Sequence, residues 1–346
     1  MKVYVGSVTD NTGSEGIYLF DFDSGKGRFR KVESYPEISH NPVFMAVEPE
    51  RLYAVMEIEK KGFIYSFRRD KETGKLAFLN SVPVNDQAMC HITVLPGGKA
   101  VSTANYRAGN LRSHRLNDDG SIGEQLSFFQ NEGHGYDVAD RQKQPHVHST
   151  TVSPDGKQLF VADLGLDKVF VYNIDNEGGL QLAAEEEQVV TPPGEGPRHL
   201  TFNEDGSRLY VLTEMGSNVL VYGKTEKGYR QIQMISALPE DFCGENTAAD
   251  IHLSKDGKTL YASNRGKDCI TVYSVEENGE LKLVDYCDAY GKCPRNFCVT
   301  PDDKYVLIAN QTTGNIVACP RLENGMLGAP TDQAPVPAGT FITAVE

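Results

Sequence analysis

Four short runs carry side chains that could bind an anion and move a proton: Gln144-Pro-His-Val-His148, Gly194-Glu-Gly-Pro-Arg-His199, Ala248-Ala-Asp-Ile-His252 and Pro294-Arg-Asn-Phe297. Guanidinium groups grip carboxylates and phosphates through paired N–H donors, and a neighbouring imidazole or carboxylate can act as acid or base. Each run leads into an apolar strand that needs none of these charges in order to fold, and a buried Arg or Asp must be paired or hydrogen-bonded. His146 and His148 would share a face of a regular strand, as a metal site might use. No ladder of Asp or Glu accompanies them, so the reading is metal-independent chemistry without a cofactor.

The runs are placed by a repeat. Aligned on the last apolar residue of the strand they open, the units fall at Val47, Val94, Val152, Phe202, Leu253, Val299 and Val345, spaced 46 to 58 residues apart. Each full unit reads as four short strands. Pro154-Asp-Gly156, Glu204-Asp-Gly206, Lys255-Asp-Gly257 and Pro301-Asp-Asp303 mark the first turn, where a tight connection calls for residues that tolerate positive φ. Val169-Phe-Val-Tyr172, Val219-Leu-Val-Tyr222 and Ile270-Thr-Val-Tyr273 repeat a β-branched and aromatic third strand.

Four strands at a period near 45 are the signature of a propeller blade. The seventh unit has only its first strand, Thr340-Phe-Ile-Thr-Ala-Val345, at the C-terminus, and the missing strands stand at the N-terminus from Lys2 to Ser34. The expected fold is therefore an all-β, seven-bladed β-propeller spanning residues 1–346 as one domain, its ring closed by N- and C-terminal strands sharing one blade. The longest spacing reflects an insertion around residues 128–141, a candidate lid or channel wall.

First strands line the channel of a propeller, so residues four before each anchor occupy equivalent places: Val43, Cys90, His148, Arg198, Ala249, Arg295 and Phe341, with His199 and Asp250 among those one later. Second strands run antiparallel and end at the same rim, counted eight before the third-strand aromatic; these include Glu57, Tyr106, Glu214 and Arg265. One mouth is thus expected to hold His148, Arg198, His199, Glu214, Asp250, Arg265 and Arg295, with Glu57, Asn264 and Asn310 nearby. His40, His114 and His134 read as surface or loop residues, and His252 as either a deeper channel residue or a core histidine.

A formal net charge of −14 argues against nucleic acid or an anionic membrane as partner, so an anionic ligand would depend on a local cluster of Arg. No apolar run approaches the length of a membrane span, and Met1-Lys-Val-Tyr-Val enters a strand directly. Seven Cys at irregular spacing form no disulfide framework. The expected location is the cytoplasm. The residues do not set an oligomeric state.

At Gly194-Glu-Gly-Pro-Arg-His-Leu-Thr-Phe202, at Ala248-Ala-Asp-Ile-His-Leu253 through Asn264-Arg265, and at Pro294-Arg-Asn-Phe297, the chain resembles the seven-bladed propeller lactonases, the family of bacterial propeller-type 6-phosphogluconolactonases and fungal 3-carboxy-cis,cis-muconate lactonising enzymes. The resemblance covers essentially the whole chain. It implies metal-free chemistry on a small anionic lactone, with His148, Arg198, Glu214 and Arg265 as catalytic residues and Glu214 or His148 as the base. His199, Asp250, Arg295, Asn264, Asn310 and Glu57 are then expected to bind substrate. Hydrolysis of 6-phosphogluconolactone is the expected reaction. Cycloisomerisation of a carboxylated muconate is one alternative, and a non-catalytic propeller that binds a protein partner is another.

Overall fold

The computed structural model describes residues 1–84 and 87–346. Over these residues the chain forms seven antiparallel sheets of four strands, the third also pairing the short strand Val189–Val190 with Lys168–Ile174. The innermost strands are Phe44–Val47, Met89–Val94, Val147–Val152, Pro197–Phe202, Thr247–Leu253 and Pro294–Val299 in blades 1 to 6, and Gly339–Val345 in blade 7. Blade 7 closes the ring as expected: Gly339–Val345 pairs with Lys2–Ser7, which pairs with Tyr18–Asp23 and then Arg28–Ser34.

Alternation of side chains along each strand makes every blade apolar on both faces, and the core is accordingly divided. Seven buried clusters occupy the seven gaps between consecutive blades: Val211 and Leu220 of blade 4 pack on Phe160 and Ala162 of blade 3, and Tyr210 and Leu212 on Ile251 and Leu260 of blade 5. Dry packing on both sides leaves no blade stable alone, because each buries its faces only against its neighbours.

Polar latches tie the blades together. The Tyr210 hydroxyl donates to the Gly279 carbonyl of the next blade at 2.9 Å, the Tyr261 hydroxyl to Gly325 at 2.6 Å, and the Tyr4 hydroxyl to Gly74 across the closure. These acceptors sit in tight turns before fourth strands. Gly279 has φ 80°, and a Cβ there would strike the Arg208 side chain, so only glycine fits without strain.

Two expectations change. His114, expected at the surface or in a loop, is 3% exposed on the third strand of blade 2, where blades 3, 4 and 5 carry the buried Tyr172, Tyr222 and Tyr273. Residues 128–130 belong to the fourth strand, Ile122–Gln130, so the long loop begins after it.

Replacing Tyr210 with Phe leaves the buried Gly279 carbonyl unpaired and is expected to cost about 1–3 kcal/mol. A urea melt should show a lower midpoint at unchanged slope. An unchanged midpoint would show that the latch contributes nothing.

Candidate active site

The inner strands are not regular. Ladder pairing skips Cys90 in blade 2, His148 in blade 3, Arg198 in blade 4 and Arg295 in blade 6, and in blade 5 it slips between Ala248 and Ile251. A bulge of this kind frees one residue from the ladder and re-aims its side chain. The flanking residues keep their alternation, so both members of Arg198-His199 reach the channel, which a flat strand would forbid.

The bulged side chains open on a cavity of about 440 Å³ at one mouth, which they share with Glu57, His199, Glu214 and Arg265. Seven of the ten residues expected at the site thus converge.

Glu214, at the end of the second strand of blade 4, is the centre of the cluster. Its Oε2 meets Arg198 Nε at 2.9 Å and Arg265 Nη2 at 3.0 Å, and its Oε1 meets Arg141 Nη2 at 2.5 Å. His148 Nε2 lies 4.0 Å from Oε2. Burial alone would raise the Glu214 pKa, but the charges of Arg265, Arg198 and Arg141 bring it down to about 2. The carboxylate is therefore a fixed anion.

Arg198 is 2% exposed, and burial together with the repulsion of Arg265 lowers its pKa to about 9. Its Nη1 donates to the Ala249 carbonyl, while Arg265 donates through Nε to Thr247 and through Nη2 to Ala248. Nη2 of Arg198 and Nη1 of Arg265 make none of these bonds, so each guanidinium is held by the protein on one side and can offer the other. Arg295 reaches the cavity with no hydrogen-bond or ion-pair partner among the described residues.

Burial holds His148 well below the usual imidazole pKa, with Arg198, His199, Arg295 and Arg265 adding to the effect. It is neutral at pH 7. The Cys90 thiol, pushed up to about 12 by burial, is no nucleophile.

His146 does not join His148. Its ring stacks on Tyr106 with centroids 4.3 Å apart, and its Nδ1 meets the Tyr106 carbonyl at 2.8 Å. Among the described residues, no three His, Cys, Asp or Glu side chains are grouped to hold a metal.

Three expected residues lie elsewhere. Asn264 is fully buried behind the strand end, donating to the Ala237 carbonyl and Thr271 Oγ1 and accepting from Asn246. Asn310 likewise braces the Ala289 carbonyl. Both hold the loops that lead into their blades rather than facing the cavity. Asp250 lies one layer deeper and lines a second cavity, of about 280 Å³, in the opposite half of the channel.

Arg141 was missed as an individual residue. It comes from the long loop after blade 2, whose expected role as a channel wall was the available signal, and it also donates to the Tyr106 hydroxyl at 3.3 Å. Asn41 and Asp10, joined by a 2.9 Å hydrogen bond on the blade 7 side of the cavity, carried no repeat signal because they lie in connections.

Comparison with known proteins agrees with this geometry. A 6-phosphogluconolactonase of Bacillus subtilis is 33% identical over 322 residues, 91% of this chain and 89% of its own. A 6-phosphogluconolactonase of Formosa agariphila is 31% identical, covering 94% of each chain. The solved structure of the periplasmic gluconolactonase of Pseudomonas aeruginosa matches with a TM-score of 0.91 at 30% identity, covering 99% of this chain and 98% of that one. Residues 2–344 match the family described as the seven-bladed β-propeller lactonases, and this chain belongs to that family.

Proposed function

We propose that the protein hydrolyses a phosphorylated sugar-acid lactone, 6-phosphogluconolactone, to 6-phosphogluconate without a metal. The observation that carries this reading is the charge of the cavity. Three guanidinium groups converge on Glu214, and Arg295 reaches the same space unpaired. A guanidinium that makes no ion pair at the cavity mouth suits an anionic ligand, and two of the relatives carry the name of this activity.

His148 is the general base. It is neutral at working pH, whereas Glu214 is held ionised by three cations and binds a proton only near pH 2. His148 takes a proton from the attacking water, the unused nitrogens of Arg198 and Arg265 stabilise the oxyanion that develops on the carbonyl, and the ring oxygen leaves with a proton. Fixed donors of this kind supply a few kcal/mol of transition-state stabilisation. Glu214 keeps both guanidiniums in place, and Arg295 takes the phosphate. The seven cysteines are all unpaired, which supports a reducing compartment such as the cytoplasm.

The direct test is turnover of freshly made 6-phosphogluconolactone in EDTA beside a carboxylated muconate. Acceleration of lactone opening over the spontaneous rate is expected; none, or activity only after a divalent metal is restored, would overturn the proposal. His148→Gln should lower kcat by about 10² to 10⁴. Arg295→Ala should raise KM roughly 10- to 100-fold with kcat nearly unchanged, the pattern of a lost ground-state contact.

A base works unprotonated, so kcat/KM falls as pH drops through the pKa of His148. Because that pKa lies well below 6.5, kcat/KM on a lactone of constant charge should stay level from pH 7.5 to below 6. An inflection at 6.5 or above would exclude His148 in this environment.

A further inference from the structure

Below the first cavity, inner-strand residues line the second one, and a polar relay is built into that layer. Asp250 is 2% exposed and accepts from His199 Nδ1 at 2.6 Å, His252 Nε2 at 2.9 Å, the Ile251 N–H at 3.0 Å, the Phe297 N–H at 3.4 Å, and the amide of Asn296. Burial would raise its pKa, but His252 and His199 hold it well below the usual range. Such a carboxylate only accepts, so Nδ1 of His199 carries the hydrogen. Burial and Arg198 lower the His199 pKa to about 4, against the pull of Asp250, so the ring is neutral and its Nε2 is a bare lone pair.

The two ring nitrogens lie on opposite sides of an imidazole, so Nε2 faces away from Asp250 and blade 5. His91 and His148 are ring neighbours of His199, with centroids 5.5 and 5.3 Å from its own. The His199 Nε2 and the His148 Nδ1 are both buried without a hydrogen-bond partner. The two nitrogens make no bond as the rings stand, but centroids 5.3 Å apart let a turn of the His148 ring bring them to about 3 Å. Two orphaned buried nitrogens on adjacent rings call for an explanation, and a shared proton supplies one.

We propose that His199 and Asp250 are positioning residues that receive the proton from His148 during turnover. This rests on the hydrolytic reading above. Water forms its bond to the lactone carbonyl carbon and gives a proton to His148 Nε2. The Nδ1 proton of His148 passes to His199 Nε2, leaving the new imidazolium hydrogen-bonded to the Asp250 carboxylate, a partner that His148 lacks. His199 then returns a proton to His148 Nδ1 while His148 Nε2 gives its proton to the ring oxygen as the bond of that oxygen to the acyl carbon breaks, and the second water proton leaves as the product carboxyl ionises. The arrangement reproduces the logic of a carboxylate that fixes the tautomer of a base, extended by one imidazole.

Asp250→Asn removes the charge and the tautomer lock. It should lower kcat by roughly 10² or more with KM within about threefold, and a proton inventory in H₂O–D₂O mixtures should change from curved to linear. Nitrogen NMR of ring-labelled wild-type protein should show His199 with its hydrogen on Nδ1 at neutral pH. A folded Asp250→Asn variant with near wild-type kcat, or His199 protonated at Nε2 at that pH, would overturn the relay; if the variant does not fold, the NMR measurement decides. Absence of lactone turnover in the wild type would instead overturn the hydrolytic reading itself.

Discussion

The arrangement of the site depends on one residue escaping the ladder in each of four inner strands. A regular strand directs alternate side chains to opposite faces, and in a propeller both faces are buried against neighbouring blades. A charged side chain held strictly to that alternation would enter an apolar gap. The skipped pairings at His148, Arg198 and Arg295 turn these groups along the axis instead, and the strands resume their packing one residue later. Ring closure keeps this possible, since it fixes the separation of the blades across the channel.

Once turned inward, the charges must be balanced within a poorly solvated space. Two carboxylates do so differently. Glu214 is answered by guanidiniums that stay protonated at neutral pH, and it anchors the donors around it. Asp250 is answered by imidazoles, which can gain or lose a proton. One anion is therefore structural in character and the other can follow a moving proton. The cavity and the layer beneath it have different chemistry although they are built from adjacent residues of the same strands.

Stability and function are separated by radius. The outer strands and inter-blade gaps hold apolar clusters and tyrosine latches, while the innermost strands and the ends of the second strands carry the buried charges of the channel. The long loop after blade 2 crosses this division: Arg141 reaches from it to Glu214, so the loop contributes to the charge balance of the channel.

The repeat made the fold and much of the site readable. Period, turn residues and the incomplete first and last units determined seven blades and their closure, because each blade must bury its faces in the same way and so repeats the same pattern. Register also brought His148, Arg198, Glu214, Arg265 and Arg295 to one mouth. It failed for Asn264 and Asn310, whose side chains turn back to brace loops at 2.9 Å, since register gives the height of a residue but not the direction of its side chain. It placed Asp250 one layer too high, and it could not single out Arg141, which belongs to no repeat. Bulges and loop contacts arise from packing between residues far apart in the chain, so the identity of the blades was determined by local sequence and the aim of each side chain by the closed ring.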